Sequence, residues 1–106
     1  IEKYGRPDFI KIDVEGHEIE VLEGLSEPVS MISFEANLPD FVEETLACLN
    51  RLFQLDSKGV FNFTHNFEWI FEGFVDLETA KQFVMETNKS YLEVFFMSNN
   101  PSYKDL

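Results

Sequence analysis

The 106 residues, 12.4 kDa in all, are enough for one domain and too few for two. Twenty Asp and Glu against eight Lys and Arg give a net charge of -12, which argues against nucleic acid or an anionic membrane surface as the main partner. With 44% hydrophobic residues, 12 of them Phe, the chain is too apolar to stay disordered, and one cysteine excludes an internal disulfide framework.

Asp8 to Val14 is a short apolar run rich in β-branched residues and reads as a strand. Gly16 breaks it. His17 to Leu25 follows with Ile19, Leu22, Val21 and Leu25 at helical spacing. Val29 to Glu35 reads as a second strand, with apolar residues on both faces, as in a sheet covered on both sides. Pro39 and Asp40 open a helix, Asp40 and Glu43 forming a capping-box pattern, and Val42, Leu46, Leu49 and Phe53 make its core face. Asp56-Ser57-Lys58-Gly59 ends it.

Val60 to His65 alternates, with Phe61, Phe63 and His65 on one side, which suits a strand near a sheet edge. Glu68 to Phe71 reads as a further short strand after a turn at Asn66. Asp76 is the expected N-cap of a helix carrying Leu77, Ala80, Phe83 and Val84 inward, and Asn88 ends it. Tyr91 to Met97 is nearly all apolar and reads as a central strand; Ser98 to Leu106 is polar and reads as a flexible tail. Strands alternating with helices predict an α/β layered sheet whose first two strands are parallel.

The densest chemistry lies in Asp13-Val14-Glu15-Gly16-His17-Glu18, between the first strand and the first helix. Ligands of open α/β sheets bind beyond the carboxyl ends of the strands, where this segment falls. A His between carboxylates titrates near neutrality and suits a general base or a metal ligand. The bland alternative is a helix cap followed by solvated charges. His65 reads as a core or rim histidine, and Trp69 with the Phe set and Cys48 as packing.

The unbroken stretch of 17 residues from Asp8 to Gly24 resembles the signature of FkbM-type methyltransferases, D-F-I-K-I-D-V-E-G-x-E-x-x-V-L-x-G. Ile32-Ser33-Phe34-Glu35 is similar to that family's next strand. The resemblance implies a Rossmann-like class I fold and an S-adenosylmethionine-dependent enzyme, typically methylating a hydroxyl of a sugar, glycan or polyketide-like acceptor. In that fold the strand order is 3-2-1-4-5-7-6. This chain would supply strands 4-5-7-6, from Asp8–Asp13, Val29–Glu35, Tyr91–Met97 and Val60–His65, with flanking helices.

Carried over, Asp13, Glu15 and His17 become the candidate catalytic residues, and Glu35 and Asn37 the candidate acceptor-binding ones. A divalent metal on Asp13 and Glu15 is the minor alternative. The family's Gly-rich cofactor loop has no counterpart: the five glycines stand at 5, 16, 24, 59 and 73, with no Gly-x-Gly, so no cofactor-binding residue is assigned. The expectation is therefore residues 1–106 as the C-terminal portion of one domain, a fragment inactive by itself. Its first strand would then leave an open edge that invites self-association. The rival expectation is a non-catalytic α/β remnant or interaction module. A cytoplasmic location is expected, since neither a signal peptide nor a membrane span is visible.

Overall fold

The computed structural model describes residues 9–12 and 31–98. Five strands form one mixed sheet: β1 (Phe9–Ile12), β2 (Met31–Asn37), β3 (Val60–His65), β4 (Glu68–Trp69) and β5 (Tyr91–Met97). Two helices accompany them, α1 (Val42–Leu55) and α2 (Leu77–Glu86). The sheet order is β1-β2-β5-β3-β4. β1 and β2 run parallel, whereas β5 lies antiparallel between β2 and β3. The last strand is thus central, as its continuous apolar run predicts.

Alternation along the strands decides the two faces. Ile32, Phe34 and Ala36 of β2, Leu92, Val94 and Phe96 of β5, and Phe61 and Phe63 of β3 all point to one side and are buried. Leu49 and Leu52 of α1 and Ala80 and Val84 of α2 meet them there. Phe61 lies against Phe96 with ring centroids 5.1 Å apart, and Phe63 against Phe83 at 4.8 Å. These tilted pairs contribute beyond the area they bury. Among the described residues no helix covers the opposite face, so the two-sided covering expected from the β2 sequence is seen on one side only. The opposite face of β2 carries Met31, Ser33 and Glu35.

The structure departs from the sequence reading at several points. β2 runs on to Asn37, because its ladder with β5 extends to the Asn37–Tyr91 pair; Asn37 therefore ends a strand. α1 starts at Val42, and its N-cap, Phe41, makes no side-chain capping bond. The expected Asp40 capping box does not form. The chain first turns tightly, with the Phe41 and Val42 amides donating to the carbonyls of Asn37 and Pro39, which leaves Asp40 exposed in the turn. The buried stripe of α1 is Thr45, Cys48, Leu49 and Leu52, and Phe53 is 39% exposed. Phe53, expected on the core face, lies one step round the helix from this stripe. The α2 cap is as expected: the Asp76 carboxylate accepts from the Thr79 amide at 2.9 Å.

Asn62 is buried on the face where alternation predicts a half-exposed polar residue. Its side-chain amide donates to the carbonyls of Phe71 (3.1 Å) and Gly73 (3.4 Å), and its oxygen accepts from the Phe71 amide (3.2 Å). The buried amide is thereby satisfied, and the segment after β4 is tied to the sheet.

Candidate functional site

The parallel pairing of β1 with β2 ends with Ile12 opposite Phe34, and β2 runs on to Asn37. Asp13, Glu15 and His17 lie outside the described residues. Glu35 and Asn37 stand two residues apart on β2 and therefore share a face. They line a cleft with Phe41, Glu44 and Thr45 that encloses only about 10 Å³, scarcely room for one water. This cleft does not hold a substrate as it stands.

The larger space lies on the sheet face away from the helices. Cross-strand register places Glu35 directly opposite Glu93. Two carboxylates in that position repel one another, and each has taken a partner. Lys11 reaches from β1 to Glu93 on β5, its Nζ 3.1 and 3.3 Å from the two carboxylate oxygens. The Tyr91 hydroxyl donates to Glu35 Oε1 at 3.3 Å. The Glu93 carboxylate, placed by the side-chain hydrogen bond first and by its charge second, raises the Lys11 pKa above the usual lysine value. Tyr91 is raised as well, by burial first and then by the Glu35 charge.

β2 lies between β1 and β5, so the Lys11 stem crosses over β2 to reach Glu93. Beside it opens a depression of about 320 Å³. Ser33 lines it, with Lys11 and Glu93 to one side, Trp69 and Phe95 to the other, and Phe67 at the rim. Trp69 lies 5.0 Å from Phe95 and 5.6 Å from Phe74, centroid to centroid. A smaller hollow of about 80 Å³ continues past Thr64 and Phe67 toward Tyr91.

Phe67 reaches the rim through an unusual turn. β3 and β4 are joined by Asn66 and Phe67, at φ of 53° and 68°. Two successive positive φ values are the two-residue hairpin geometry that favours Asn-Gly. Asn66 fits it; Phe67 occupies the glycine position with its side chain wholly exposed.

Of the candidates from sequence, the structure brings Glu35 and Asn37 together and adds Tyr91 to Glu35. Lys11, Ser33 and Glu93 were not singled out from sequence. Only the sheet register joins them, across 82 positions for Lys11 and Glu93. His65 is a satisfied rim histidine, its Nδ1 donating to the Tyr91 carbonyl at 2.9 Å. Cys48 is buried on α1. Among the described residues, no group of three or more His, Cys, Asp or Glu side chains could hold a metal ion, and no helix is long and apolar enough to cross a membrane.

A mixed α/β sheet with its two described helices over one face and a polar, aromatic depression on the other defines the class of domain. Its family follows from comparison: a model of the FkbM methyltransferase domain matches residues 1–72, from before β1 through β4, and the chain belongs to that family. Comparison with curated proteins and with solved structures gives no match.

Proposed function

We propose that this chain is part of an S-adenosylmethionine-dependent O-methyltransferase with a Rossmann-like sheet, acting on a hydroxyl of a sugar, glycan or polyketide-like acceptor. The family match over residues 1–72 carries the reading. The sheet supports it: β1-β2-β5-β3, with β5 alone antiparallel, is the order implied by the resemblance for strands 4-5-7-6.

An alcohol is a weak nucleophile, so transfer to its oxygen requires a base within hydrogen-bond reach. Asp13, Glu15 and His17 are the candidates for that role and for shaping the site. Glu35 and Asn37, at the carboxyl end of β2, are the candidates for orienting the acceptor, with Tyr91 holding the Glu35 carboxylate in place.

The described residues do not fit the methyl donor. Its methionine end needs backbone brought close by a glycine turn. Gly59 is filled by core, since a Cβ there would collide with the Phe96 ring; Gly73 lies in the segment tied down by Asn62. The sequence holds no Gly-x-Gly either. No donor-binding residue is assigned among the described residues.

The test compares this chain with the complete natural polypeptide, using donor labelled in the methyl group and a panel of hydroxylated acceptors. The expected result is label on an acceptor oxygen with the complete polypeptide and none with the 106 residues. Turnover by the 106 residues alone would overturn the division of labour. Label on nitrogen or carbon would overturn O-methylation.

A further inference from the structure

Ser33 is fully buried, and its Oγ is the buried side-chain polar atom that has no hydrogen-bond partner among the described residues. Buried hydroxyls without partners are rare, because each forgoes its bonds to water. Alternation turns this hydroxyl away from the core, since Ile32 and Phe34 on either side point to the helices, and it lines the depression. The charged groups there are committed to each other, with Lys11 paired to Glu93. The opposite wall is aromatic, formed by Trp69 and Phe95 and extended by Phe67. Phe67 is held there at the cost of a left-handed backbone, and strain of that kind concentrates at functional positions.

These observations limit what fits. The volume of about 320 Å³ is at the small end of ligand sites. The aromatic wall suits a flat apolar ring. A sugar would bring several hydroxyls to a site whose unsatisfied buried group is a single hydroxyl, and the rest would lose water without replacement. An anion would meet Glu93 on a chain of net charge -12. A cation would compete with the Lys11 ammonium already on Glu93.

We propose that this depression binds a small neutral hydroxylated aromatic ring, of the phenol class, stacked on Trp69 and Phe95 with its hydroxyl bonded to Ser33 Oγ. The ring enters beside the Lys11 stem, which lies across β2 above Ser33. This site does not depend on the methyltransferase reading, because none of the residues proposed for catalysis or acceptor binding takes part in it.

Trp69 is the one tryptophan in the chain, so its emission reports the site directly. Phenol, cyclohexanol and glucose are titrated into the 106-residue chain while Trp69 emission intensity and lifetime are followed. Phenol should give a saturable change, cyclohexanol a weaker one and glucose none. Ser33→Ala should weaken phenol about threefold to tenfold while the chain melts no lower than before, since the variant loses only an unpartnered hydroxyl. Linear, purely collisional quenching by phenol would overturn the proposal. So would glucose binding as tightly as phenol, or unchanged phenol affinity in Ser33→Ala. A Trp69 emission already shifted to the blue and insensitive to phenol would show the face covered by protein, and would overturn it as well.

Discussion

Single side chains on the sheet face away from α1 and α2 are held by charge as much as by packing. Tyr91 illustrates how. Burial disfavours its phenolate, the neighbouring Glu35 carboxylate repels it and accepts its hydrogen bond, and Glu93 adds to the effect while Lys11 opposes it; together they raise its pKa above the ordinary 10.0. A group whose folded pKa is raised contributes stability that is intact below its unfolded pKa and lost as pH rises through the folded value. Tyr91 therefore weakens the fold only in alkali above the ordinary tyrosine range. Glu35→Gln removes the repulsion and leaves the burial. The Tyr91 midpoint, followed by NMR of its ring, should fall toward the ordinary value without reaching it. A midpoint that stays or rises would remove Glu35 from the account. None of this was legible in the sequence, because Tyr91 and Glu35 stand 56 positions apart and meet only through the register of β2 on β5. Ser33 was hidden for the same reason: a serine in an apolar strand reads as an ordinary solvent-side residue until both neighbouring strands are in place.

At the scale of elements, apolar periodicity, turn residues and a cap located every described strand and helix, though β4 ends at Trp69 rather than at Phe71. The strong signals were the unbroken run of Tyr91–Met97, the alternation of Val60–His65 and the Asp76 cap, all of which act within a few residues. Errors fell where a distant partner decides. Asn37 joined a strand because Tyr91 pairs with it, and Asp40 lost its cap to a backbone turn at Asn37 and Pro39. Asn62 was buried by the segment that it binds. The turn from α1 to β3 shows how closely elements are fitted. Asp56, just past the helix, accepts from the Lys58 amide at 3.0 Å and from the Ser98 hydroxyl at 2.5 Å, which fastens the turn to the end of β5. Gly59 follows, with the Phe96 ring against it and the Asp56 carbonyl 3.2 Å from where a Cβ would stand. Phe96 is buried and backed by Phe61, so it cannot swing aside. Gly59→Ala should therefore destabilise the fold by about 1–3 kcal/mol, as overpacking does. The check is urea unfolding, with a lower midpoint at unchanged slope. An unchanged midpoint would mean that the ring yields freely.

For the molecule as a whole, the question is what happens at the outer edge of β1. β1 pairs with β2 on one side, and among the described strands nothing pairs with the other. A strand edge with free amides and carbonyls is a template for another chain. Two features oppose this. The strand is four residues long and carries Lys11, and two copies of a chain at net charge -12 repel each other. The repulsion acts between exposed charges and is screened by salt, with a Debye length of about 8 Å at physiological ionic strength. Backbone pairing is not screened. Association should therefore be weak at low salt and should strengthen as salt is added, the reverse of an assembly held by ion pairs. Light scattering on the 106-residue chain should give masses that rise above 12.4 kDa with concentration and with sodium chloride. Amide exchange in Phe9–Ile12 should slow in parallel. A mass of 12.4 kDa at every salt concentration, with fast exchange along β1, would show that the edge does not pair. In the proposed methyltransferase the same edge is where the resemblance puts strand 1. Association should then disappear in the complete polypeptide, while the Phe9–Ile12 amides become protected within a single molecule.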